Sequence, residues 1–212
     1  MRRRKKKGAD LKLLSYEEYV VVNAEEYKGR WREYFGNDNP IYVEIGTGRG
    51  QFITTWAKNN PHINFIAMEM KEEVLLKAVE KSHGSGSKNI AFLWKDANRL
   101  EEYFNENELS RIFINFCDPW PKKRWAKRRL THHRFLNMYK NLLKEDGEVH
   151  FKTDNERLFE FSLNEFAGAD WKLKNISLDL HNSELTENIT TEYEDKFVAQ
   201  GLKIYRLEGL PK

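Results

Sequence analysis

Short apolar runs alternate along this chain with longer segments of mixed character. Ile41–Ile45 (IYVEI) is the first such run and ends at a cluster of glycines, which predicts a strand closed by a tight turn. Gln51–Asn60 reads as the helix that follows it. The alternation continues with strands at Asn64–Met68, Asn89–Trp94, Arg111–Phe116, Glu148–Lys152, Trp171–Leu180 and Leu202–Leu207. Helices fall between them at Lys71–Lys81, Leu100–Phe104, Thr131–Leu143 and Glu156–Phe166, with Gly147 as a stop after the third of these. The GSGS at 84–87 reads as a loop. Strands that alternate with helices of this length imply βαβ units, an α/β fold and a mostly parallel seven-stranded sheet. Right-handed crossovers place helices on both faces. Ligands of such sheets bind beyond the carboxyl ends of the strands, and unusual residues stand at four successive strand ends.

Composition narrows this picture. A chain of 212 residues predicts a single domain over 26–212, preceded by a basic arm over 1–25 with freedom to move. Apolar residues make up 40% of it, enough for a sizeable core. No apolar run approaches the ~18 residues of a membrane span. The start, MRRRKKKGADLKLL, lacks the apolar stretch of a secretory signal, so a cytoplasmic protein is expected. The one cysteine, Cys117, permits neither an internal disulfide nor a cysteine-rich metal site. His132, His133, His150 and His181 show no ligand spacing, so no metal is expected.

Charge changes the picture more. The net charge is only +3, yet twelve of the 36 basic residues lie in segments 2–7 and 122–129, leaving 24 against 33 acidic ones elsewhere. Positive charge concentrated on an otherwise acidic chain points to a polyanion with a defined docking face.

The strand ends carry the candidate chemistry. The first ends E-I-G-T-G-R-G, Glu44 to Gly50. Alternate glycines let a backbone turn tightly and approach a ligand closely. The spacing is G-x-G-x-G, distinct from the G-x-G-x-x-G of dinucleotide binders, and no phosphate-binding G-x-x-x-x-G-K-[ST] is present. The second strand ends at Glu69, where an acid accepts from ribose hydroxyls. The third ends at Asp96, which can accept from an adenine amine. Taken singly, each acid could instead be a helix cap or a solvated strand end. Glu44 beside Gly46 and Gly48 would repel a pyrophosphate and suits a cation, so an adenosine bearing a sulfonium and an amino acid fits: S-adenosylmethionine.

The fourth strand runs into NFCDPWPKKRWAKRRL (115–130). This block, together with EIGTGRG, Glu69, KDA, HFKTDN (150–155) and HNS with TEYEDKF (181–197), resembles the bacterial tRNA (guanine-N7-)-methyltransferase family from about Tyr27 to Tyr205. The resemblance implies a Rossmann-like class I methyltransferase fold and methyl transfer to N7 of a guanine in the tRNA variable loop. It implies an active-site role for Asp118, which also borders the cofactor. It carries Lys122, Asp154, Thr191, Glu192, Tyr193 and Glu194 to the substrate site. It makes Arg124, Trp125, Ala126, Lys127, Arg128 and Arg129 the RNA-contacting stretch. tRNA is then the partner, with no obligate protein partner and a monomer or homodimer expected. Read without the resemblance, TEYE is a helix start with Thr191 as its cap, and Trp120 either stacks against a base or covers the core edge.

Three rivals share parts of this pattern. A nicotinamide-dependent oxidoreductase shares the sheet and Glu69 but leaves the basic segment unexplained. A non-catalytic RNA-binding module explains the basic segment but not the set of acids. A methyltransferase for another RNA or a small molecule shares the cofactor site.

Overall fold

The computed structural model describes residues 8–185 and 188–212, so the basic run at 2–7 lies outside the described residues. The described chain forms two compact units that meet in sequence between Phe104 and Asn105. The first contains helices α1 (Ala9–Leu14), α2 (Trp31–Phe35), α3 (Gln51–Asn59), α4 (Glu72–Ser85) and α5 (Leu100–Tyr103). Its strands are β1 (Ile41–Ile45), β2 (Asn64–Met68) and β3 (Ile90–Leu93). The second contains β4 (Leu109–Asn115), α6 (His133–Leu142), β5 (Leu143–Thr153), α7 (Glu156–Gly168), β6 (Trp171–Ser177), α8 (Glu192–Val198) and β7 (Tyr205–Pro211).

The seven strands are hydrogen-bonded in the order β3-β2-β1-β4-β5-β7-β6, with helices on both sides. β1 with β2, β2 with β3 and β4 with β5 are parallel, whereas β7 runs antiparallel to β5 and β6. Every residue of β2 and β3 is buried, as expected of parallel strands covered on both faces. α6 shows how the helices attach: Phe135, Leu136, Tyr139 and Leu142 form one apolar stripe and are its buried residues. None of the described helices is long and apolar enough to cross a membrane.

Several boundaries differ from the sequence expectation; β6, for one, ends at Ser177 rather than Leu180, and β5 begins at Leu143 rather than Glu148. Gly147 does not stop α6, which ends at Leu142; it lies inside β5, where the β4–β5 register shifts between Leu109 and Arg111. A Cβ at Gly147 would sit 2.9 Å from both Leu143 Cδ2 and the Lys144 carbonyl, so this glycine serves a tight excursion of the strand. α4 runs on to Ser85 and takes in half of the GSGS loop. The seventh strand begins at Tyr205 rather than Leu202, because Leu202 N–H still closes the turn after α8 on the Phe197 carbonyl.

The expected arm is folded where it is described. Leu13, Tyr19 and Val20 are buried in one cluster with Phe65, Leu75 and Phe92. Phe92 N–H donates to the Tyr19 carbonyl at 2.7 Å, and Val21 N–H donates to the Phe92 carbonyl at 3.0 Å. This segment therefore covers the outer edge of β3, which would otherwise present unpaired backbone groups.

Candidate functional site

In the first unit the site is built on turns at the ends of three strands. Gly46 and Gly48 have φ of 79° and 59°, which side chains rarely adopt. A Cβ added at Gly46 would meet nothing within 4 Å, and at Gly48 only the Gly46 carbonyl at 4.0 Å. These glycines therefore leave space in front of the turn. Gly50 differs: a Cβ there would lie 2.6 Å from Ala78 Cβ, so its absence lets α3 close against α4. The turn is anchored by the N–H groups of Gly46 and Thr47, both 2.9 Å from the Met68 carbonyl.

Glu69 follows β2, and its Oε1 accepts from the N–H groups of Met70 at 2.9 Å and Lys71 at 3.1 Å. The Gly48 backbone also acts to lower the pKa of this carboxylate. Burial nevertheless raises the Glu69 pKa, the backbone donors opposing it. Asp96 caps the turn Ala97–Arg99, its Oδ1 accepting from Asn98 N–H at 2.9 Å and Asn98 Nδ2 at 2.8 Å. Only one of its oxygens is engaged in that cap. Glu44 is 2% exposed, and its Oε2 accepts from the Thr47 hydroxyl at 2.6 Å. The structure thus brings Glu44, Gly46, Gly48 and Glu69 together, with Asp96 on the adjacent strand end.

In the second unit, β4 ends at Asn115 and the backbone leaves it with Phe116 at φ 52°. Asp118 is exposed at the head of the loop that follows. Cys117 beside it has its thiol pushed up to about 12, first by burial and then by the Asp118 charge, so it stays a thiol at neutral pH. Within the basic segment, Lys123–Arg128 forms a 3-10 helix. Its residues are not equivalent. Lys122, Arg124, Lys127 and Arg128 are exposed, whereas Trp125, Ala126 and Arg129 are half-buried. The Ala126 carbonyl accepts from Arg129 N–H at 3.0 Å and closes the turn. The Arg129 side chain turns back on the acid loop. Its Nε donates to the Pro119 carbonyl and its Nη2 to the Trp120 carbonyl, both at 3.0 Å. Its guanidinium lies 4.2 Å from the centre of the Phe161 ring. Sequence reading could not separate Arg129 from the cations around it.

The T-E-Y-E segment is both a cap and something more. The Thr191 hydroxyl accepts from Glu194 N–H at 3.0 Å and caps α8. Glu194 is fully buried, and its Oε2 lies 2.6 Å from Lys152 Nζ on β5. Lys152 Nζ also donates to Asn188 Oδ1 and the Ile189 carbonyl. The other Glu194 oxygen meets His181 Nε2 at 2.9 Å and Asn188 Nδ2 at 2.6 Å. Glu194 therefore fixes α8 and its approach to the sheet. Tyr193, by contrast, is 61% exposed. Glu192 and Asp154 are half-buried. The sequence missed Lys152 and His181 because their common partner is distant along the chain.

Among the described residues, two clusters have atoms close enough together to hold a metal ion: His132, His133 and Glu165, and Glu148, His150 and Glu208. Each assembles from separate elements, which spacing within one element does not reveal. The second is already matched by cations, with Arg111 and Lys174 on Glu148 and Arg206 on Glu208. A hydrogen bond from His150 holds the Glu148 carboxyl down to about 2, with Lys174 adding to it against burial. Burial lowers the His150 pKa.

A family model described as putative methyltransferase matches residues 38–207. A protein of Clostridioides difficile (strain 630) named tRNA (guanine-N(7)-)-methyltransferase is 66% identical over 210 residues, covering 99% of this chain and 98% of that protein. A protein of the same name from Brevibacillus brevis is 53% identical, again over 99% of this chain and 98% of its own length. Among solved structures, a 16S rRNA methyltransferase aligns with a TM-score of 0.65 at 14% identity, over 87% of this chain and 93% of that one. A SAM-dependent methyltransferase from Aquifex aeolicus aligns at 0.57 and 15% identity, over 98% of this chain and 100% of that one. The structural likenesses speak to the fold alone.

Proposed function

This chain belongs to the tRNA (guanine-N7-)-methyltransferase family, and we propose that it transfers the methyl group of S-adenosylmethionine to N7 of a guanine in the variable loop of tRNA. The observation that carries this reading is the 66% identity to a relative of that name over 99% of this chain. The residues supply the means.

The first unit suits the methyl donor. The space before Gly46 and Gly48 is open, and the absence of side chains there lets a ligand approach the turn backbone closely. In this reading Glu69 accepts from ribose hydroxyls, and the second oxygen of Asp96 accepts from an adenine amine. The buried charge of Glu44 favours a cationic ligand in a region of low dielectric. S-adenosylmethionine supplies, when bound, a methyl group already activated on positive sulfur.

The second unit suits the acceptor. N7 of guanine has a lone pair and no proton, so no residue needs to act as a base. The N7 pair forms the new bond to carbon as the carbon–sulfur bond breaks, and that bonding pair returns to sulfur. Alignment in line is the main demand, which is catalysis by positioning. Positive charge moves onto the guanine ring, and the Asp118 carboxylate favours it there. Asp118 can also accept from the N1 and N2 donors of the guanine edge. The protonated Cys117 thiol takes no part as a nucleophile. Lys122, Arg124, Lys127 and Arg128 present exposed charge to phosphates. Asp154, Thr191, Glu192 and Tyr193 complete the acceptor side, with Glu194 anchoring them. We place the enzyme in the cytoplasm with tRNA as its partner, acting as a monomer or homodimer.

The test uses unmodified tRNA transcripts and methyl-labelled donor. Label is expected in N7-methylguanosine and should vanish when the variable-loop guanine is replaced by adenine. Label in another nucleoside, or label that survives the replacement, contradicts the assignment.

A further inference from the structure

Trp120 has a local structure that packing alone does not explain. Its φ is 42°, in the left-handed region that a bulky side chain avoids. Such a conformation persists only where its surroundings hold it, and it is found where strain serves a site. Here the surroundings are specific. Prolines flank the residue at 119 and 121. The Arg129 fork holds the carbonyls of both Pro119 and Trp120. The Trp125 indole meets the Trp120 indole edge to face, with centroids 5.8 Å apart and planes at 83°. The guanidinium of Arg128 lies over the Trp120 ring, 4.9 Å from its centre. Trp120 stands two residues after Asp118 and remains half-buried, not enclosed.

This indole face already accepts a planar, delocalised cation. The guanidinium of Arg128 is chemically close to one other species: a guanine methylated at N7. That base is planar, carries a positive charge, and contains a guanidine-like N1–C2–N2 edge. Resting on the proposed reaction, we infer that Trp120 is the surface on which the target guanine stacks, and that Arg128 occupies this place in the free protein. When tRNA docks, Arg128 moves to a phosphate and the guanine takes the indole face. The base is neutral on arrival and cationic after transfer. Attraction between the ring and the positive charge therefore grows along the reaction coordinate. An interaction stronger in the transition state than in the ground state lowers the barrier. Asp118 and Trp120 would then act on the same charge from one short loop, the first through its carboxylate and the second through its π face. No proton, oxidant or further reactant is required.

The proposal is tested without the methyl donor. The probes are a single-stranded RNA oligomer carrying one N7-methylguanosine and its unmethylated twin, titrated by calorimetry. The protein should prefer the methylated oligomer, and Trp120→Leu should reduce that preference by about 2- to 30-fold, the range of a cation–π contact. On tRNA, Trp120→Leu should lower kcat by a similar factor with tRNA affinity retained. A fluorinated tryptophan installed at position 120 alone keeps the shape and weakens the π face, so the preference should fall with each added fluorine. This second variant decides the matter if Trp120→Leu does not fold. A preference unchanged in the leucine variant, or unchanged by fluorination, overturns the role of Trp120 while N7 methylation of tRNA by the wild type stands. Failure of the wild type to methylate tRNA guanine at N7 overturns both.

Discussion

In the first unit the candidate site is largely backbone. Gly46 and Gly48 hold open a turn, and Glu69 is fixed by the N–H groups of Met70 and Lys71. In the second unit the site is side chain on side chain. Arg129 clamps the loop after Asp118, and Lys152 and Glu194 form an enclosed ion pair beneath α8. A backbone site should lose ligand when altered and keep its fold. A site propped on buried charges should lose fold and function together.

Substitutions can break this contrast. The largest effect is expected from Lys152→Ala, which strands the Glu194 carboxylate in the interior. Removing one partner of such a pair costs about 3–5 kcal/mol, and chemical denaturation should show it. Asp118→Ala comes next. It should lower kcat by about 10²- to 10³-fold, the scale of losing one transition-state electrostatic contact, with an unchanged denaturation midpoint because Asp118 is exposed. Glu69→Ala should weaken donor binding by about 10- to 100-fold, as for hydrogen bonds to a charged group, and leave tRNA affinity alone. Arg128→Ala and Arg129→Ala sharpen the picture within the basic segment. The first should reduce the slope of log affinity for tRNA against log salt by about 0.9. The second should leave that slope nearly unchanged and lower kcat, because its donors hold the loop.

The smallest effect concerns pH. His150 binds its proton less readily when folded, since burial lowers its pKa. Its contribution is therefore complete above the ordinary histidine value and is lost as pH falls below it. Glu148, held at about 2, contributes above the ordinary carboxylate value and loses that contribution as pH falls toward 2. Both make the unfolded chain bind more protons, so stability should decline from pH 7 to pH 4. His150→Gln should make that decline shallower.

Much of the first unit was legible in the sequence for the same reason that its site is backbone. The bounds of β1 and β2 follow from apolar runs cut off by turn residues. Glycines at 46 and 48 can be read because positive φ leaves few alternatives, and Glu69 because a strand end fixes its place. The resemblance supplied most of the second unit, but not its internal logic. Glu194 reads as a substrate residue or an ordinary helix start until Lys152, 42 residues away, appears beside it. Arg129 reads as one cation in a run of six until its hydrogen bonds separate it. The described part of 1–25 reads as an arm because α1 is only six residues long, too short for periodicity to announce. Contacts between distant residues leave no local pattern, so they were what the sequence withheld.

The contrast between the units rests most directly on donor binding measured alone. Calorimetric titration of S-adenosylmethionine, without tRNA, can be run on Gly48→Ala, Glu69→Ala, Arg128→Ala and the wild type. Affinity should fall in the first two and hold in Arg128→Ala. Wild-type affinity in both Gly48→Ala and Glu69→Ala, or a loss in Arg128→Ala equal to theirs, would contradict a donor site built on the strand ends of the first unit.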